Sequence, residues 1–314
     1  MNTNYLLTII VPVHNTEKYV ERCINSILNQ SLKKIQIIII DDASSDSSYE
    51  NICKFKGLDN VKILRNSENI GPGATRNLGL KYVNTKYFCF LDSDDWVDTN
   101  AYEYAISTLE KNKDSTMAIF GIKTEYDNAC LSEIRYAYHD NTISNEFAIS
   151  LLTREYAQDA PISALLGNKV FSSGHHLGIK FSDRCFEDTI YMYKAFLHPG
   201  RIALLSGGYL HYYQRPGSIM HTFSKKYIDD LCDEFIDLRT YLLENNTPIN
   251  LNQYYSYFEK CCNSMLKILF STEQNAAVQK QYLAYFFNRV FQSFSVSELV
   301  NYIDLARIKK ILFL

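Results

Sequence analysis

The chain has 314 residues, with 46% hydrophobic and 21% charged, so one large or two modest domains with a packed core are feasible and disorder is not indicated. A formal net charge of -3 excludes a nucleic-acid binder built on a strong basic face. Eight cysteines are scattered with no CxxC pair and no Cys/His cluster at zinc spacing, a pattern of reduced thiols rather than a disulfide framework.

Met1 to Tyr5 is uncharged and leads directly into an apolar run, without the basic start and cleavage site of a signal peptide. No apolar run approaches the roughly 18 residues that cross a bilayer. The expectation is a cytoplasmic protein, peripheral to a membrane at most. Leu6 to Val11 reads as a buried strand, ended by Pro12. Val20, Cys23, Ile24, Ile27 and Leu28 then repeat at helical spacing within Glu17 to Asn29. Further apolar runs at Ile35 to Ile40, Val61 to Leu64 and Tyr87 to Leu91 read as strands, with a helix opened by Gly71-Pro72-Gly73 between the last two. Strands alternating with helices predict a parallel, doubly wound sheet.

Beyond these, the pattern predicts a helix over Ala101 to Leu109, a strand at Met117 to Gly121 and a helix over Glu146 to Leu152. Lys123 to Asn145 reads as a hairpin or a loop over the site. Asn168 to Phe171 is a short strand or turn, Phe186 to Leu197 a helix, and Leu204 to Tyr213 a strand. After Ser224 the pattern changes. Ile228, Leu231, Phe235, Leu238 and Leu242 step by three and four, as do Leu251, Tyr254, Phe258, Cys261, Met265 and Ile268. Lys225 to Leu314 is therefore expected to be mainly helical, with Ser295 and Glu298 as a capping box for a last helix. Packing along such stripes is the expected use of many of the 24 tyrosines and of Cys261-Cys262. His175-His176 read as turn residues. The basic, then apolar, end at Lys309 to Leu314 suits contact with a membrane surface, another subunit or the core.

The most informative stretch is Tyr87 to Trp96, where an aromatic run ends in Asp92, Asp94 and Asp95. Strand alternation would point Asp92 and Asp94 to one side and Asp95 to the other. Like charges this close need a cation or hydrogen-bond donors. Two readings stand: a divalent-metal site at a strand end, or an acidic turn capping the next helix.

The segments VPVHNTEKYVERCINSILNQS, IIIIDDASSDSS, NIGPGATRNLGL, FLDSDDWVD, NKVF, FEDTIYMYKAF and YYQRPGSIMH follow one another in a consistent order. Over about residues 5 to 222 they resemble family 2 glycosyltransferases of the GT-A fold, inverting enzymes of bacterial surface-polysaccharide type. The resemblance implies an α/β fold with a Rossmann-like, mostly parallel sheet, and a transferase domain at 1–224. Within it, 1–100 would bind the nucleotide and 101–224 would serve acceptor and catalysis, with a helical region at 225–314.

It also implies site residues. Asp92-Ser93-Asp94 matches the DXD motif, with Asp94 the direct ligand of Mn²⁺ or Mg²⁺. Asp92 and Asp95 contact ribose, metal or donor sugar. Pro12, Val13, Asn15 and Glu17 match the first nucleotide-contacting loop. Asp42 matches the acid that reads the uracil edge, and Asp41 shares that work or caps the turn. Arg76 contacts the nucleotide or positions its acid. Asp188 matches the catalytic base, and Glu187 orients it or binds the acceptor. Arg215 would neutralise phosphate, and His221 would serve as a metal ligand or diphosphate contact. The implied partners are a nucleotide-sugar donor, by family habit a UDP-sugar, and a glycan or lipid-linked acceptor. Two residues depart from the pattern: His14 replaces an aromatic, and Ala43 replaces the glycine of the usual DDGS run, which implies a turn without positive φ. The competing class is a non-catalytic sugar-nucleotide or polysaccharide-binding subunit of the same fold.

Overall fold

The computed structural model describes residues 5–126, 132–153, 162–214, 223–245, 250–273 and 275–295. Its elements begin β1 (Leu7–Val13), α1 (Val20–Leu28), β2 (Ile35–Asp41), α2 (Ser48–Cys53), β3 (Val61–Arg65), α3 (Gly71–Leu80), β4 (Tyr87–Phe90) and β5 (Trp96–Val97). They continue with α4 (Ala101–Lys111), β6 (Ser115–Tyr126), β7 (Ser132–Tyr136), β8 (Asn141–Ser144), α5 (Asn145–Thr153), β9 (Lys169–Ser172), α6 (Ser173–His176), α7 (Glu187–Leu197) and β10 (Arg201–Gln214). Three long helices follow: α8 (Lys225–Glu244), α9 (Leu251–Thr272) and α10 (Ala276–Ser293).

The chain divides into two compact units. The first takes residues 1–148, 163–183 and 191–215, and the second 149–162, 184–190 and 216–314.

All ten described strands belong to the first unit, in the order β3-β2-β1-β4-β9-β6-β10-β5, with β7 on β6 and β8 on β10. β1 to β4, β6 and β10 run one way, and β5, β7, β8 and β9 run against them. The expected α/β fold with a large, mostly parallel sheet is present. β1 is apolar throughout because both of its faces are covered. Leu7, Ile9, Val11 and Val13 join the core that holds Val20, Cys23, Ile24 and Ile27 of α1. Ile10, on the other face, meets α3 at Gly79. A Cβ on Gly79 would lie 2.4 Å from Ile10 Cγ2, so only glycine lets α3 lie this close to β1.

Pro12 does not end β1, which runs on to Val13 in register with Asp41 of β2. The reason lies in the neighbour. The Ile10 carbonyl accepts from Leu91 N–H, so Pro12 faces the same side two residues on, where β4 has already stopped at Phe90. The missing N–H of Pro12 costs no ladder bond. Lys123 to Asn145 contributes the end of β6, the antiparallel strand β7 and the short β8.

In the second unit the expected stripes are buried. Ile228, Leu231, Phe235 and Leu238 are fully covered on α8, and Tyr254, Phe258 and Met265 on α9. Phe235 is ringed by Tyr254, Tyr257 and Phe258 at centroid distances of 5.7, 5.8 and 5.0 Å. Tyr254 satisfies its hydroxyl by donating to the Phe235 carbonyl at 2.6 Å. Cys261 and Cys262 are buried on this stripe. The seven described cysteines are all free. The Ser295/Glu298 cap and Lys309 to Leu314 fall outside the described residues. No described helix is long and apolar enough to cross a membrane.

Candidate active site

Parallel pairing of β3, β2, β1 and β4 brings their C-terminal ends to one edge of the sheet. There the loop after β1 and the loop after β2 are laced together. Asn15 N–H donates to Ser44 Oγ at 3.1 Å, and Ser45 N–H to Asn15 Oδ1 at 2.9 Å. Thr16 N–H donates to Ser48 Oγ at 2.7 Å, Glu17 N–H to Asp46 Oδ2 at 3.1 Å, and Ser47 N–H to Glu17 Oε2 at 2.9 Å. Glu17 thus holds the start of α2. Burial raises the Asp46 carboxyl, but hydrogen bonds from Ser48 and the Glu17 N–H outweigh it and hold the group below its ordinary range.

Two turn residues here take left-handed backbone: Asn15 at φ 51° and Ala43 at φ 52°. The turn after Asp42 does require positive φ, and Ala43 adopts it at a steric cost that glycine would avoid. His14 locks the same turn. Its Nδ1 donates to the Asp42 carbonyl at 2.7 Å, and Nε2 accepts from the Asn15 and Asn69 amides at 3.2 and 3.1 Å.

Asp41 and Asp42 are both buried but differ in use. Asp41 Oδ2 pairs with Arg65 Nε at 3.1 Å. Asp42 Oδ1 accepts from Asn66 Nδ2 at 2.7 Å and Ile70 N–H at 3.0 Å, and Oδ2 from Gly71 N–H at 2.9 Å. Asp42 therefore caps the N-terminus of α3. Gly71 suits this junction because its φ is 84°.

α3 in turn presents Arg76. The buried guanidinium donates from Nη2 to Asp92 Oδ1 at 2.7 Å and lies over the Phe181 ring at 5.5 Å. Asp92 to Asp95 is a turn closed by Asp95 N–H to the Asp92 carbonyl at 3.0 Å, so the strand does not continue through it. Exposure still alternates. Asp92 and Asp94 are partly exposed, while Ser93 and Asp95 are buried. Ser93 Oγ lies 2.9 Å from Thr16 Oγ1. Asp95 Oδ1 accepts from Tyr213 N–H at 2.9 Å.

The turn carries an excess of negative charge. Burial, and then the Asp94 and Asp92 charges, push the Asp95 carboxyl well above its ordinary range. A divalent cation would offset that charge, and partly exposed carboxylates are the hard oxygen donors that Mg²⁺ or Mn²⁺ accepts. No group of three or more His, Cys, Asp or Glu among the described residues is arranged to hold a metal ion.

The sequence reading missed Arg22 and its stack. Arg22 Nη2 donates to the Asp94 carbonyl at 2.9 Å, and its Cζ lies 3.7 Å from the Trp96 ring centroid and 4.7 Å from that of Tyr213. Burial lowers the Arg22 pKa, against the pull of Tyr213 and Asp95. Trp96 also stacks on His211 at 4.9 Å, and His211 faces Asp98 at 2.9 Å and Glu125 at 2.6 Å. The only signal for this group in the sequence is the chain's single tryptophan, placed directly after the acids.

Glu187 and Asp188 open α7 and belong to the second unit. Both are half-buried, and Asp188 Oδ1 accepts from Thr189 N–H at 2.6 Å. Arg215 and His221 lie outside the described residues. His175 and His176 form the short α6 rather than a turn, and His176 is fully buried.

The family model described as glycosyl transferase family 2 matches residues 8–160. The match covers just under half of the chain. The matched span holds the two laced loops, Asp42, Arg76 and the Asp92–Asp95 turn. Glycosyltransferase GlyG of Streptococcus pneumoniae is 29% identical over 242 residues, covering 73% of this chain and 78% of that one. Minor teichoic acid biosynthesis protein GgaA of Bacillus subtilis is 44% identical over 105 residues, 31% of this chain and 23% of that one. The structure of TarS 1-349 from S. aureus in complex with UDP-GlcNAc superimposes with a TM-score of 0.66 at 16% identity, covering 92% of this chain and 90% of that one. That likeness shows a shared GT-A fold. The protein is a glycosyltransferase.

Proposed function

We propose that this glycosyltransferase moves a hexosyl or N-acetylhexosaminyl group from a UDP-sugar to a hydroxyl of a growing surface glycan or lipid-linked acceptor, with inversion and with metal dependence. The observation that carries the reading is the Asp92–Asp95 turn, in which Arg76 holds Asp92 and the partly exposed Asp94 stands beside it. The UDP-GlcNAc complex of the TarS structure supports a UDP-sugar donor, and the teichoic acid naming of GgaA supports a cell-surface polymer setting.

Asp94, with Asp92, would hold Mn²⁺ or Mg²⁺, which supplies charge neutralisation to the departing diphosphate. Pro12, Val13, Asn15, Glu17, Asp42, Arg76, Ser93 and Asp95 would contact the nucleotide or the donor sugar. Asp188 takes the acceptor hydroxyl proton as general base, and Glu187 orients it or the acceptor. The acceptor oxygen bonds to the anomeric carbon as the bond from that carbon to the diphosphate oxygen breaks, which inverts the centre and releases UDP. Arg215 and His221 are assigned to the diphosphate. The transferase would work in the cytoplasm, at the inner face of the membrane.

A panel of sugar nucleotides, scored for binding and hydrolysis with and without Mn²⁺, tests the reading. Metal-dependent turnover of one UDP-sugar is expected. Failure of every nucleotide to bind in a metal-dependent way overturns it.

A further inference from the structure

Helices α8 and α9 have no role in the chemistry above, yet four of their contacts fall on one short segment, Arg184 to Thr189. Arg184 pairs with Asp237 of α8. Cys185 N–H donates to Asp230 Oδ2 of α8 at 2.9 Å, and the same oxygen meets Lys226 Nζ at 2.5 Å. The Phe186 ring packs edge-on against Tyr227 of α8 at 6.1 Å. Tyr257 of α9 donates its hydroxyl to the Thr189 carbonyl at 3.2 Å.

The segment needs holding. Phe186 has φ 68°, a left-handed conformation that costs a bulky residue energy and persists only where surroundings impose it. Among the described residues only Asn15 and Ala43 share that trait without being glycine, and both lie in the nucleotide loops. Asp230 is buried, so its bond to Cys185 N–H is shielded from water. The next two residues are Glu187 and Asp188.

We propose that α8 and α9 are the positioning scaffold of the catalytic base, with Asp230 the residue that fixes the Cys185–Phe186 turn from which Asp188 is presented. The proposal rests on Asp188 being the base. Asp230 is a positioning residue, since it acts through the backbone of Cys185. The function of the C-terminal helices is then catalytic alignment.

The test uses the full chain, with Mn²⁺ and a mixture of UDP-glucose, UDP-galactose, UDP-N-acetylglucosamine and UDP-N-acetylgalactosamine, reading UDP release and, separately, UDP affinity by calorimetry. Asp230→Ala should lower turnover at least about tenfold while UDP affinity stays within about twofold, because only the base is misplaced. Asp230→Asn keeps an oxygen that accepts from Cys185 N–H and should restore most of the rate. The double variant Asp188→Asn/Asp230→Ala should be no slower than Asp188→Asn alone. Tyr257→Phe deletes one hydroxyl and keeps the ring, so it tests the scaffold even where Asp230→Ala fails to fold, with a severalfold loss of turnover expected. Unchanged turnover in folded Asp230→Ala or in Tyr257→Phe, or losses that add in the double variant, overturns the scaffold. Full turnover in Asp188→Asn instead overturns the base assignment itself, so the two failures are distinguishable.

Discussion

Arg76 Nη2 lies 2.7 Å from Asp92 Oδ1, and the arginine is 6% exposed at its side chain while the aspartate is 36% exposed. The pair joins α3 to the acidic turn. One oxygen of Asp92 is committed to the protein, and the side chain still reaches solvent.

Truncating Arg76 removes a buried cation and leaves Asp92 without it. Because Asp92 is partly solvated, Arg76→Ala is expected to cost about 2 kcal/mol of stability rather than the larger penalty of a fully buried pair. Mn²⁺-dependent UDP binding should weaken by roughly tenfold or more as Asp92 loses its orientation. Arg76→Lys should recover part of the stability but little of the binding, since an ammonium lacks the planar fork. Urea unfolding and calorimetry check the two effects separately.

Ala43 sits at φ 52°. Ala43→Gly removes the Cβ clash of the left-handed conformation and adds chain entropy to the unfolded state. The first effect is the larger, so a gain of about 0.5–1 kcal/mol is expected. A denaturation midpoint that falls would show that the turn does not strain the alanine.

His176 predicts how the fold responds to acid. Burial, with His198 and His175 close by, lowers its pKa from 6.5 to about 4. The folded protein therefore binds this proton less readily than the unfolded chain. The stability it contributes is complete above about pH 6.5 and is lost as pH falls towards about 4, a span worth about 3 kcal/mol. His176→Leu should flatten the decline of unfolding free energy between about pH 6.5 and 4.5. An equally steep decline in the variant would assign it to other groups.

Much of this was legible in the sequence. β1, β2 and β4 are covered on both faces, so they appear as unbroken apolar runs, and the polar residues that end them mark the site edge. The α8 and α9 stripes were legible because one face of each is buried. What the sequence hid depends on contacts between distant segments. β5 has only two residues, Trp96 and Val97, too few to show a period. Ala43 looked free of positive φ because nothing local says that His14 and Asn66 pin the turn around Asp42. Pro12 looked like a stop because its tolerance depends on where β4 ends. Arg22 is one polar residue on a helix, and only the fold places it on Trp96 and the Asp94 carbonyl. Asp230 stands four residues after Lys226 on α8, and only the fold brings Cys185 N–H to it.

The central claim is that Asp94 serves a metal-dependent transfer. Its most direct test is Asp94→Asn, an isosteric change that leaves the carbonyl bonded by Arg22 in place. We expect UDP affinity to lose its dependence on Mn²⁺ and UDP-sugar turnover to fall about a hundredfold or more, with the unfolding midpoint unchanged. Full turnover with Mn²⁺-dependent UDP binding intact in Asp94→Asn would contradict the account.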